Sequence, residues 1–242
     1  MLRFEGVTKR YLRFPREIVA LDRISLEIAA GDRFGVLGSA RAGKSTLLRL
    51  AAGLERPDEG SVWFRDRDLA TVSRSEQEHL LRHEIGCVWQ TASAGSRIDI
   101  VQYVAWPLFS AGVRYRRAIR QAHELLARVG AQACAGAQLC ELAASELTRV
   151  SLAQALIREP SLLLADEPSK TLDPIERDEM LELLRSTVCD KRITLVVTAG
   201  DATGIVAPTQ LASLDRGRLV VRARRGGQVV PIQGQRRRPS TG

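Results

Sequence analysis

Gly38-Ser39-Ala40-Arg41-Ala42-Gly43-Lys44-Ser45-Thr46 follows the apolar run Phe34-Gly35-Val36-Leu37 and leads into Thr46-Leu47-Leu48-Arg49-Leu50-Ala51, which has a helical pattern. Strand, loop and helix in that order are the context in which G-x-x-x-x-G-K-[ST] cradles phosphate. Gly43 lets the backbone approach an anion, while successive N–H groups and the helix N-terminus point positive ends at it. Lys44 reaches toward the β- and γ-phosphates, and Ser45 offers a hydroxyl to Mg²⁺. The competing reading, a glycine-rich turn that only caps a helix, fits this full context poorly. The stretch therefore predicts nucleoside triphosphate binding.

With 242 residues the chain is long enough for one large α/β domain, or a core with an inserted subdomain. Cys87, Cys134, Cys140 and Cys189 show neither C-x-x-C spacing nor a short secreted framework, which predicts free thiols in a reducing cytosol and argues against zinc. Met1 to Glu5 lack a signal peptide's apolar segment, and no apolar run reaches the roughly 18 residues of a spanning helix. The net charge is +8, with Arg216, Arg218, Arg222, Arg224, Arg225, Arg236, Arg237 and Arg238 clustered late. Such an end serves either as a solvated disordered tail or as a contact for anionic lipid or nucleic acid.

Leu2–Val7 and Ile18–Ile28 read as strands from their β-branched alternation. Between them Tyr11 is placed either to stack a flat base or simply to pack. Ser61–Phe64 reads as a strand and Ser75–His83 as a polar helix, on which His79 and His83 share a face and are read as a surface pair rather than metal ligands. The run Ile85–Trp89 ends at Gln90, an amide able to offer oxygen to a metal ion and to act as a hinge. Residues 98–128 turn helical, with Pro107 and Gly112 as interruptions and Ala118–Val129 the clearest amphipathic piece, and a second helix spans about 146–158. Ser161–Ala165 is a continuous apolar run, as a central parallel strand requires, and it ends in Asp166-Glu167-Pro168. Carboxylates at that strand end lie where an open α/β sheet places its ligand. Asp166 is read as a Mg²⁺ ligand and Glu167 as the group that polarises an attacking water.

In order, Tyr11, Gly38 to Thr46, Gln90, Leu142 to Glu146, Asp166-Glu167 and Leu172-Asp173 resemble the nucleotide-binding subunit of an ATP-binding-cassette transporter over about residues 2 to 222. Leu142-Ala143-Ala144-Ser145-Glu146 occupies the family's signature position, with Ala143 standing 23 residues ahead of Asp166. Gly53–Gly60 and Leu163–Pro168 are most similar to the lipoprotein-releasing and macrolide-export branch. The resemblance implies ATP and Mg²⁺ as ligands, with Tyr11 stacking adenine and Gly38 to Thr46 cradling the phosphates. Ala143, Ala144, Ser145 and Glu146 would face ATP on a second subunit. Ser45, Gln90 and Asp166 become metal ligands, Gln90 and Glu167 catalytic residues, and Ser169–Asp173 the D-loop.

The implied architecture is α/β: a P-loop NTPase core with a mostly parallel sheet, an N-terminal antiparallel β-subdomain and a helical insertion. Its expected division is an ATPase domain at 1–225, with core at about 1–90 and 158–225 and helical subdomain at about 91–157. A basic, disordered tail is expected at 226–242. Asp215–Arg218 is expected to turn a final hairpin.

The implied partners are a transmembrane permease and a second ATP-binding subunit, in a homo- or heterodimer at the cytoplasmic face of the inner or plasma membrane. A nucleotide-gated scaffold with little hydrolysis, and a nucleic-acid-associated ATPase of the same superfamily, are the other classes, the latter ranked well below the first two. Three departures bear on activity. Arg41 stands where the family carries glycine, Ala143-Ala144-Ser145 replaces its Ser-Gly-Gly, and Ala199-Gly200-Asp201 follows Thr198 where a switch histidine is expected. The expectation is slow hydrolysis, with Glu167 retaining the means for it.

Overall fold

Two apolar layers on opposite faces of one parallel sheet organise the chain, and the alternation of side chains along each strand assigns residues between them. The computed structural model describes residues 1–89, 97–205, 207–225 and 228–231. Its elements in chain order are β1 (Leu2–Arg13), β2 (Arg16–Ile28), β3 (Arg33–Leu37), α1 (Lys44–Ala51), β4 (Glu59–Phe64), β5 (Arg67–Asp68), α2 (Arg74–His83) and β6 (Ile85–Val88). There follow α3 (Ile100–Phe109), α4 (Tyr115–Arg128), α5 (Ala144–Leu156), β7 (Leu162–Asp166), α6 (Pro174–Lys191), β8 (Thr194–Ala199), β9 (Gln210–Asp215), β10 (Arg218–Arg225) and β11 (Gln228–Pro231). Gln90, read as a hinge and metal ligand, lies outside the described residues.

One sheet has strand order β11-β10-β9-β3-β8-β7-β6, parallel from β9 to β6, with the β9–β10–β11 end antiparallel. The other, β2-β1-β4-β5, is antiparallel throughout. Strand β7 is buried along its whole length. Its Leu162 and Leu164 join the layer that holds α1 and the antiparallel sheet, while Leu163 and Ala165 join the layer built by α3 to α6. Asp166 continues the even-numbered series, so its side chain emerges on the α1 side.

Sequence reading and structure differ at two places, both of them strands. Strand β1 runs through Thr8–Tyr11 to Arg13 because β2 continues to pair with it there, with Tyr11 opposite Ile18. The helical stretch at 98–128 divides into α3 and α4 on either side of Gly112, one of its two expected interruptions. Pro107, within α3, has no N–H for the Tyr103 carbonyl, and the Gln154 side-chain amide from α5 donates to that oxygen at 2.9 Å. That bond fastens the two helices together. Finally, Gln228–Pro231, inside the segment expected to be disordered, pairs with Arg222–Arg225 because the edge strand β10 offers it an open ladder.

Helix α4 buries Ala118, Ala122 and Leu126, one every four residues, which is the amphipathic stripe read from the sequence. Gly86 marks a close approach of α5 to β6. A Cβ there would stand 2.5 Å from the Ala155 carbonyl oxygen and 3.0 Å from Pro160. Gly86→Ala should therefore push α5 off β6 and cost about 1–3 kcal/mol. A denaturant titration checks this, expecting a lower midpoint with an unchanged slope.

Candidate functional site

The phosphate loop lies between the ends of two adjacent parallel strands. Gly38 N–H donates to the Ala199 carbonyl at 3.1 Å, tying the loop's start to the end of β8. Its far side rests on the β9–β10 turn, where Gly217 N–H donates to the Ala42 carbonyl at 3.1 Å and Asp22 N–H to the Gly217 carbonyl at 2.8 Å. Gly43 has φ +109°, and a Cβ there would come within 2.3 Å of the Ala20 carbonyl. Only glycine fits both the dihedral and the space. Arg41 has φ +65°, a conformation that costs an L-residue on the order of 1 kcal/mol. Ser39, Ala40 and Arg41 are exposed, and Ala42 is buried against the protein.

Lys44 opens α1 and is 6% exposed. Its ammonium donates to the carbonyls of Gly38 at 2.6 Å and Ser39 at 2.7 Å, and pairs with Glu167 Oε1 at 3.1 Å. Beside it, Ser45 Oγ donates to Asp166 Oδ2 at 2.6 Å, and Thr198 Oγ1 donates to Asp166 Oδ1 at 2.8 Å. The Thr198 hydroxyl also accepts the Glu167 N–H at 3.0 Å. One carboxylate thus links the first helix to strands β7 and β8. Ser45, Lys44, Asp166 and Glu167 come together at the phosphate loop. Thr198 was missed, although its position opposite Asp166 follows once β7 and β8 pair in parallel.

Glu167 has φ +46°, so the chain turns sharply as it leaves β7. Burial by itself would raise its carboxyl, but hydrogen bonds from Lys170 and Lys44 outweigh that and hold it below the usual range. Lys170 Nζ lies 2.6 Å from Glu167 Oε2, a contact that the i,i+3 spacing in a tight turn would have signalled. The turn runs on through Leu172 to Asp173, whose carboxylate accepts N–H groups of Ile175 and Glu176 and caps α6. A cavity of about 250 Å³ separates the Glu167–Thr171 turn from the N-terminal part of α5.

Ala143 precedes α5, and Glu146 Oε2 accepts its N–H at 2.9 Å. Glu146 also accepts a hydrogen bond from Cys134 Sγ at 3.5 Å. Among the described residues, no hydrogen bond or ion pair joins Ala143–Glu146 to the phosphate loop. Tyr11 sits beside α1: its hydroxyl donates to the Glu55 carboxylate and lies 3.4 Å from Thr46 Oγ1. Burial and the Glu55 contact both raise its phenol. The Lys9 ammonium stands 5.7 Å from the centre of the Tyr11 ring.

A Cβ at Gly200 would stand 3.9 Å from Glu167 Oε1, so the turn after β8 faces the carboxylate without presenting an imidazole. His79 and His83 stack on α2 at 4.5 Å, with an Arg158 nitrogen 3.0 Å from His83 Nε2. Among the described residues, no group of three or more His, Cys, Asp or Glu is placed to hold a metal. The four cysteines are free, and burial pushes the Cys87 thiol up to about 12.

Fold and loop together define a phosphate-loop nucleotide-binding protein. A sequence model of the family described as ABC transporter matches residues 21–170, and the chain belongs to that family. It is 33% identical over 219 residues to the lipoprotein-releasing system ATP-binding protein LolD of Chromohalobacter salexigens, covering 90% of this chain and 92% of that one. With the methionine import ATP-binding protein MetN 2 of Rhodococcus jostii it shares 37% identity over 221 residues, 91% of this chain and 65% of the relative's length. The dimeric structure of MJ0796, a bacterial ABC transporter cassette, superposes with a TM-score of 0.85 at 25% identity, covering 90% of this chain and 97% of the other. A post-hydrolysis dimer of that cassette bound to ADP and Pi gives a TM-score of 0.86 at 24% identity, covering 97% and 100%.

Thr198→Val keeps the shape of this side chain but removes both hydrogen bonds that connect Asp166 and Glu167. A loss of about 1–3 kcal/mol is expected for leaving the partly buried Glu167 N–H without this hydrogen bond. Urea unfolding of the variant beside the parent chain measures it.

Proposed function

We propose that the chain is the ATP-binding and ATP-hydrolysing subunit of an ABC transporter, acting with a second such subunit and a separate membrane permease. The observation that carries this reading is the convergence of Lys44, Ser45, Asp166 and Glu167 at the mouth of the phosphate loop. Among the described residues no helix is long and apolar enough to cross a membrane. The similar proteins LolD and MetN are named for a lipoprotein-releasing system and for methionine import. Peripheral placement at the cytoplasmic membrane face follows from the partnership with a permease.

The chemistry follows from the residues. Loop N–H groups and the α1 N-terminus bind the phosphates, and Lys44 adds a point charge. The site suits Mg²⁺, because the Ser45 hydroxyl and the Asp166 carboxylate present hard oxygens side by side. When bound there, Mg²⁺ would neutralise charge developing on the phosphate oxygens. Glu167 orients water and takes its proton. Tyr11 offers a ring for the base, and Ala143 to Glu146 face the nucleotide of the second subunit. The family resemblance makes Gln90 a further proposed metal ligand. The expected division is a core at about 1–90 and 158–225 with a helical subdomain at about 91–157.

Turnover is slow in this reading. Arg41 holds a left-handed conformation at the loop, Ala143 lacks the serine hydroxyl, and Gly200 faces Glu167 without an imidazole beside it. Phosphate release by the purified chain with Mg-ATP, together with direct ATP affinity, is the test. Glu167→Gln should keep ATP binding and lower release by roughly 100-fold or more. Binding without release, even after permease and partner subunits are added, would identify a nucleotide-gated scaffold instead.

A further inference from the structure

The Glu167 carboxylate is shared between two ammonium groups, and only one of them belongs to the phosphate loop. Lys44 is almost fully enclosed, and its three N–H donors are taken by Gly38 O, Ser39 O and Glu167 Oε1. An ammonium has three donors and no more. A terminal phosphate that draws on Lys44 must therefore displace one of these partners. Glu167 is the anionic one, and the incoming phosphate is an anion too. Left without a cation, a carboxylate only 10% exposed would face the added negative charge at close range.

Lys170 meets this need. Its side chain leaves the turn after β7 and holds the other oxygen, Oε2, at 2.6 Å, while its own N–H donates to the Glu167 carbonyl at 3.1 Å. More than half of the Lys170 side chain is exposed, so it reaches Glu167 from the solvent side rather than from the loop. We infer that Lys170 is a positioning residue for nucleotide binding: it keeps the charge of Glu167 compensated by a cation when the terminal phosphate takes Lys44, and so makes the site accept ATP. The inference rests on the ATP-binding reading of the loop. It goes beyond that reading by assigning a role to a side chain outside the phosphate loop, the metal ligands and the signature stretch.

Calorimetric titration of the full chain with Mg-ATP and Mg-ADP tests it, using Lys170→Met, Lys170→Arg, Glu167→Gln and the Lys170→Met/Glu167→Gln pair. Lys170→Met should raise the dissociation constant for ATP by roughly fivefold, discounted for the exposure of the lysine, and that for ADP by less than about twofold. Lys170→Arg should restore most of the ATP affinity. In the Glu167→Gln background the same Lys170→Met change should have little effect, since no carboxylate charge remains to be compensated. An equal loss for ATP and ADP, or a loss that persists undiminished beside Glu167→Gln, would overturn the assignment and make Lys170 a structural or direct phosphate contact. Retained ATP affinity in Lys170→Met would overturn it while leaving the ATP reading intact. Failure of the parent chain to bind ATP at all would remove both.

Discussion

The Asp166 carboxylate is the tie on which the site depends. It accepts one hydroxyl proton from Ser45 at the start of α1 and another from Thr198 at the end of β8, and it is itself the last residue of β7. A buried carboxylate needs such partners, and here they come from three separate segments of the chain. Phosphate loop, acidic strand end and the strand that follows are thereby held in one geometry before any ligand arrives. That preorganisation distinguishes a site from a set of nearby residues.

Alternation along β7 explains how the tie arises. Leu162 and Leu164 pack toward α1, and Asp166 follows them on the same face. Glu167 leaves this regularity through its positive φ, which turns its carboxylate toward Lys44 and Lys170 rather than into the helical layer. Two adjacent acids thus acquire different environments. One is hydrogen-bonded by neutral hydroxyls, the other held between lysines.

Much of this was legible in the sequence because its signals are local. The phosphate loop is one contiguous stretch, the apolar run at 161–165 could hardly be anything but a central strand, and the α4 stripe repeats every four residues. Contacts made across the sheet were less accessible. Thr198 gains its role only from the register of β7 against β8, and Gln154 only because Pro107 leaves a carbonyl open on a neighbouring helix. The length of β1 was underestimated because Thr8–Tyr11 is polar, and its pairing with β2 is sustained by backbone bonds rather than by alternation. Val229 and Val230 were overlooked within a basic segment whose composition argued for disorder.

The rest of the phosphate loop on the β9–β10 turn also bears on how the protein is made. Ala42 is held by the Gly217 N–H, and the Gly217 carbonyl in turn accepts from Asp22. The loop at residue 43 is thus finished by a residue made far later in synthesis. On the ribosome, the early strands and α1 can form while this flank of the loop still lacks its support. A truncated chain ending before residue 217 would carry an intact motif without the surface that seats it, so competence to grip nucleotide awaits synthesis of the β9–β10 turn.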